Sequence, residues 1–241
     1  MPSVGILVIG NEILSGKVVD TNSPYFCQEL RELGATVERI VTIADEIDII
    51  SKEVRELSEA YDFVFTSGGI GPTHDDLTIR GVAAAFGLEI ERSDGIADRL
   101  RRAAKREPNQ AELKMAEIPA GAQLLDAGDL WFPLIVVKNV YIYPGIPELL
   151  RKKFESARDR FRGEPFVLKK VYVRRRESEI APALNDLLRE FPDLLLGSYP
   201  KLLKSSFHVE LTLESRQATY VESALESLLK RLPTEAIFKV E

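Results

Sequence analysis

Along positions 1–165 the apolar residues switch between a spacing near two and a spacing near 3.6, as strands and helices taking turns along a chain require. The run Ser3-Val-Gly-Ile-Leu-Val-Ile-Gly10 is almost continuously apolar and ends in glycine, which predicts a buried strand of a parallel sheet. A helix is expected around Pro24, with Phe26, Leu30 and Leu33 on one face and Gly34 as its stop. Residues 36–43 read as a second strand. Residues 46–60 read as a helix that buries Ile47, Ile50, Val54 and Leu57, and residues 63–66 as a third strand running into Ser67-Gly-Gly-Ile-Gly-Pro72. The pattern is helical again over 76–87, and the charged segment 94–106 reads as a surface helix. Two short strands, 134–137 and 140–143, flank a Lys138-Asn139 turn and lead to Pro144-Gly-Ile-Pro147 and a helix from about Glu148. Such alternation predicts a parallel sheet covered by helices, with ligands beyond the carboxyl ends of its strands.

Gly163-Glu-Pro165 breaks the pattern and reads as a linker, dividing the chain into domains 1–165 and 166–241. After it come a strand (166–174), a helix (178–190), two strands (194–199 and 207–213), a helix (219–232) and a strand (236–240). The order βαββαβ is the split-βαβ arrangement of a small α+β domain.

Composition narrows the class. A chain of 241 residues that is 45% hydrophobic and 29% charged, with no apolar run of membrane-spanning length, is expected to be soluble. One cysteine excludes an internal disulfide, and no signal peptide is evident, so the cytoplasm is the expected location. The net charge of −6 is unevenly placed: residues 1–165 carry 20 Lys and Arg against 27 Asp and Glu, and residues 166–241 carry 12 against 11. An acidic front part disfavours nucleic acid as a partner but admits a small anion held by backbone amides or a metal.

The strongest chemical signal is Thr66-Ser-Gly-Gly-Ile-Gly-Pro-Thr-His-Asp-Asp-Leu-Thr78, between a buried strand and a helix. Gly68, Gly69 and Gly71 let the backbone turn tightly and bring N–H groups to a ligand, and the following helix start adds a positive end. Ser67, Pro72, Thr73 and Thr78 complete this candidate phosphate cradle, which has neither the lysine of a P-loop nor the dinucleotide G-x-G-x-x-G spacing. A plain strand-to-helix turn is the alternative. Asp75 and Asp76 fall at the expected helix start, where one carboxylate suffices as a cap and a second could hold a hard cation. Gly10-Asn-Glu-Ile-Leu-Ser-Gly16 and Asp20-Thr-Asn22 lie at the end of the first strand, so Gly10, Glu12 and Asn22 are aimed at the same edge as Asp45. Glu12, Asp45, Asp75 and Asp76 together form a candidate metal site, with Pro144, Gly145 and Pro147 as a third wall. Cys27, beside Phe26 and Leu30, reads as a packing residue, and His74 and His208 as solvent-facing.

Taken together, these motifs and the later Tyr143-Pro-Gly-Ile-Pro-Glu-Leu-Leu150 resemble the molybdopterin-binding domain family of MogA, MoaB and the front domain of CinA. The similarity is closer to the N-terminal domain of eukaryotic FAD synthases, through Phe132-Pro-Leu-Ile-Val-Val-Lys-Asn139, Glu177-Ser-Glu-Ile-Ala-Pro-Ala-Leu184 and Leu196-Gly-Ser-Tyr-Pro200. The resemblance implies a three-layer αβα core with a mostly parallel sheet and a small appended domain. It also implies that Asp76 is the aspartate that acts with the glycine loop, that Asp45 is a second family aspartate, and that homo-oligomers form. Gly-Gly-Ile-Gly replaces the Gly-Gly-Thr-Gly typical of the pterin enzymes, and Asp75 stands where they often carry arginine, which shifts the expectation from molybdopterin toward metal-assisted chemistry. The CinA and FAD-synthase branches are associated with hydrolysis of a nucleotide pyrophosphate such as ADP-ribose or FAD, using Mg, Mn or Co. Deamidation and FAD synthesis are not expected of this chain. On this reading Asp76, Asp75 and Asp45 are catalytic and the small-molecule partner is a nucleotide or a pterin phosphate. A non-catalytic binding module and an enzyme of molybdenum-cofactor assembly are the rival readings.

Overall fold

The computed structural model describes residues 1–201 and 206–241, which separate into two compact units, Met1–Gly163 and Glu164–Glu241. In the first, β1 (Ser3–Ile9) is followed by the single-turn α1 (Asn11–Leu14), α2 (Asn22–Glu32), β2 (Thr36–Ile43), α3 (Ile47–Ala60), β3 (Phe63–Ser67) and α4 (Thr78–Phe86). Then come β4 (Ile90–Arg92), α5 (Asp94–Ala104), α6 (Gln110–Lys114), β5 (Glu117–Pro119), β6 (Gln123–Leu125), β7 (Leu134–Val137), β8 (Val140–Tyr143) and α7 (Pro147–Ala157). The main sheet has the order β2-β1-β3-β8-β7-β6; it is parallel from β2 to β8 and antiparallel from β8 to β6.

The near-continuous apolar run of β1 follows from its burial on both faces. Val4, Ile6 and Val8 join Phe26, Leu30, Phe65, Leu150 and Phe154 in one core, while Leu7 and Ile9 join Ile50, Val54, Leu57, Val82 and Ile96 in the other. The three-layer αβα fold is thus present: α2 and α7 cover one face, and α3, α4 and α5 the other. Phe26 meets Phe65 and Tyr143 edge-on at 5.1 Å, locking α2 to the two strands that carry the ligand-facing loops.

Three short strands escape the sequence reading, whereas the Lys138-Asn139 turn between β7 and β8 falls where it is expected. The three-residue β4, β5 and β6 are too short to carry a recognisable period. In the β7–β8 turn only Lys138 takes the left-handed conformation, at φ 53. Asn139 serves elsewhere: its amide donates to the carbonyls of Ser58 (3.0 Å) and Tyr61 (2.9 Å), closing the C-terminal end of α3, and its oxygen accepts from the Ser58 hydroxyl. Asn139→Ala is therefore expected to lower stability by about 2 kcal/mol, read as a shifted urea midpoint at unchanged slope. The start of α4 also departs from the reading; it concerns the site and is described below.

The second unit folds as β9 (Val167–Val173), α8 (Glu177–Glu190), β10 (Leu195–Pro200), β11 (Val209–Ser215), α9 (Ala218–Arg231) and β12 (Ile237–Val240). Its antiparallel sheet has the order β10-β11-β9-β12, as the βαββαβ reading requires. Val171, Val173, Leu211 and Leu213 pack against Ile180, Leu187, Val221 and Leu228 of its two helices. Among the described residues no helix is long and apolar enough to cross a membrane.

Candidate functional site

Sheet register brings the candidate loops together. Ile9 pairs with Ile43, Val8 with Ser67 and Ser67 with Tyr143, so Gly10, Gly68 and Pro144 leave the sheet side by side at its carboxyl edge. A cleft of about 320 Å³ opens there. Of the residues singled out by sequence, Glu12, Asn22, Ser67, Gly68, Gly69, Asp76, Pro144, Gly145 and Pro147 line it.

Two hydrogen-bonded struts hold this cleft. The buried Asn22 amide donates to the Ser67 hydroxyl and to the Gly145 carbonyl, both at 2.9 Å, tying the start of α2 to two loops from distant parts of the chain. The fully buried Thr78 hydroxyl donates to the Gly68 carbonyl at 2.8 Å, and its backbone N–H to the Gly69 carbonyl at 3.1 Å. Glycine is required here for a definite reason. Gly68 and Gly69 sit at φ +103 and +63, where a Cβ would lie 2.2 Å from the Ile9 carbonyl oxygen and 2.2 Å from the Thr78 hydroxyl, respectively. Among the described residues the backbone N–H groups of Gly69, Ile70 and Gly71 donate to no protein acceptor, and of the three residues Gly69 and Ile70 line the cleft. Three successive open amides are a field suited to an anion.

The aspartate pair does not cap α4, as its placement at a helix start had suggested. The helix begins two residues later, at Thr78, because the bonds to Gly68 and Gly69 occupy its first turn. Asp76 instead folds back over the loop: one carboxylate oxygen accepts from the Thr73 N–H (2.8 Å) and hydroxyl (2.5 Å). Its carboxylate lies so close to Gly71 that an added Cβ there would sit 2.6 Å from an oxygen. Asp75 points to no part of the cleft; it is exposed, with the open-loop His74 imidazole 4.0 Å away. Asp45 is engaged as well, accepting the Asn11 N–H at 2.8 Å and so fixing the turn that carries Gly10 and Glu12.

The expected gathering of Glu12, Asp45, Asp75 and Asp76 is therefore not formed. Among the described residues no three His, Cys, Asp or Glu side chains are placed to hold a metal ion. Glu12 and Asp76 do face one cleft, from the first strand's loop and the glycine loop respectively. That arrangement suits a magnesium-type ion, which takes one or two carboxylates and completes its shell with substrate phosphate and water. Asp20, quoted within a motif but not singled out, also lines the cleft, and one of its oxygens accepts from the N–H groups of Asn22 (2.9 Å) and Ser23 (3.1 Å). An aspartate just ahead of a helix start was the readable signal.

Two lysines escaped sequence reading because each acts through a partner far along the chain. Lys114, ending α6, donates to the Thr73 carbonyl and so tethers the loop that carries Asp76. Lys153 of α7 is buried; its ammonium donates to the carbonyls of Phe132 (3.0 Å) and Pro133 and lies 4.5 Å from the Phe132 ring centre. Loss of solvent pushes its pKa down to about 7. Cys27 is half-buried in the α2 core contact, with its thiol pushed up by burial.

The sheet, its two helical layers and the glycine loop at its carboxyl edge define a three-layer α/β protein. A family model described as a probable molybdopterin binding domain matches residues 5–162, and one described as the middle domain of FAD synthase matches 165–241. The chain belongs to the molybdopterin-binding domain family that includes MogA, MoaB and CinA. A protein of Archaeoglobus fulgidus is 37% identical over 198 residues, covering 81% of this chain and 85% of its own. A probable FAD synthase of Caenorhabditis elegans is 33% identical across 98% of this chain, which spans only 51% of that relative. The crystal structure of a CinA protein of unknown function from Thermoplasma acidophilum matches with a TM-score of 0.62 and 27% identity, over 66% of this chain and 97% of that one.

Proposed function

We propose that this chain is a cytoplasmic, homo-oligomeric hydrolase that splits the P–O–P linkage of a nucleotide such as ADP-ribose or FAD and releases AMP. The observation that carries the reading is the pair of unbonded amides at Gly69 and Ile70, which line one cleft with Glu12 and belong to the loop that Asp76 braces. The amides would take the phosphate oxygens and stabilise charge that builds on them as the bridge breaks. Glu12 and Asp76 would hold a divalent cation, which when bound supplies charge neutralisation and an activated water. Water adds to one phosphorus, the bridging oxygen leaves with the bond's electron pair, and the proton passes to a carboxylate of the cleft. Asn22 keeps the Ser67 and Gly145 walls at the spacing the two phosphates need. The acidic walls make metal-free binding of a dianion unfavourable, so cation and substrate enter together.

The test is incubation of the purified chain with ADP-ribose or FAD in Mg, Mn or Co, with products separated by chromatography. AMP should accumulate only with metal present. Tight binding without turnover in every metal would leave a nucleotide- or pterin-binding module instead.

A further inference from the structure

Beside the cleft lies a second cavity of about 180 Å³, walled by Ile70, Pro72, Met115, Trp131, Phe132 and Ile146. Ile70, Pro144 and Ile146 border both cavities, so the two adjoin. Its size is below the roughly 300 to 1,000 Å³ of sites that enclose a whole drug-sized ligand, so it suits one part of a ligand. Its lining is apolar except for Lys153, whose ammonium is committed to the Phe132 and Pro133 carbonyls and so clamps the aromatic wall against α7. Trp131 is 38% exposed and Ile146 56% exposed, although each borders a concave apolar surface that burial would favour covering.

We infer that this slot receives the purine base of the nucleotide whose phosphates occupy the cleft, holding it by stacking on Trp131 and Phe132. The inference rests on the cleft binding phosphate, as proposed above, and assigns the neighbouring slot to the base. Aromatic and thioether walls favour a flat π-system. The single polar group is already satisfied by backbone carbonyls, so the base is recognised by shape and stacking. The small volume favours a two-ring base over the three-ring isoalloxazine.

Trp131 is the one tryptophan of the chain and reports directly on the slot. With magnesium present, AMP and ADP-ribose should quench its emission, whereas inorganic pyrophosphate should bind by calorimetry and leave the emission unchanged. Trp131→Ala should weaken ADP-ribose binding by about 5- to 150-fold, the range of a lost base-stacking contact, and leave pyrophosphate affinity unchanged. Loss of affinity for both ligands alike, or silence of Trp131 under saturating AMP, would overturn the assignment. Stronger quenching by FMN than by AMP would also overturn it, by placing the flavin ring there. If AMP quenches but pyrophosphate does not bind, the slot stands and the phosphate role of the cleft falls.

Discussion

Gly68→Ala is expected to cost about 3 kcal/mol or more of folding stability and to abolish pyrophosphate binding. The backbone at this position is at φ +103, which side-chain-bearing residues rarely adopt, and the new methyl would lie 2.2 Å from the Ile9 carbonyl oxygen. Neither partner can give way cheaply. Ile9 is the last residue of a strand paired on both sides, and the Gly68 carbonyl is held by the buried Thr78 hydroxyl. Relief would require opening the sheet edge or breaking the latch to α4. Denaturant unfolding should show an earlier midpoint, and calorimetry no heat with pyrophosphate. Gly71→Ala supplies the contrast, because the nearest atoms to its methyl would be those of the Asp76 carboxylate, the end of a movable side chain. That variant should stay within about 1 kcal/mol of the parent in stability, while displacing the one carboxylate the loop presents. A Gly68→Ala protein as stable as the parent would mean that the loop adapts and that its amides are not held in place.

The second large effect separates two neighbours that sequence treats alike. Asp76→Ala should lower kcat/KM for ADP-ribose by about 100- to 10,000-fold, and Asp75→Ala by less than about threefold. Asp76 lines the cleft and is oriented by two bonds from Thr73, whereas Asp75 lies on the exposed outer side of the same loop. Asp76→Asn, which keeps an oxygen for Thr73 but removes the charge, should bind pyrophosphate and fail to turn over. That result would distinguish loss of charge from collapse of the loop. Equal losses in the Asp75 and Asp76 variants would contradict the geometry.

The reach of sequence reading was set by how local each signal was. β1 was readable because burial on both faces leaves only apolar residues, and the glycine loop because left-handed backbone beside a strand end has few substitutes. The βαββαβ order was readable because each element has a full period on its own. The start of α4 was not, since it is decided by Thr78 bonding back ten residues to Gly68, a contact with no periodic trace. A run of acidic residues there imitates a cap. The dispersal of the four carboxylates has the same origin: Asp45 leaves from edge strand β2 and is used up on Asn11, and Asp75 lies on a loop ahead of α4 instead of at the start of that helix. Asn139 and Lys153 show the converse case, in which an ordinary polar residue takes its role from carbonyls that only the fold brings near.

The open amides of Gly69, Ile70 and Gly71 have a consequence for selectivity. On the proposed reading, an incoming phosphate would meet them on a backbone that Thr78 and Asn22 already tie in place. Little chain freedom is lost on association, so affinity for the charged group comes readily. The same rigidity makes the cradle indifferent to what the phosphate is attached to. Discrimination among phosphate esters must then be exercised by the surfaces around it, and a lineage could change ligands by altering those walls while the glycine loop stays as it is.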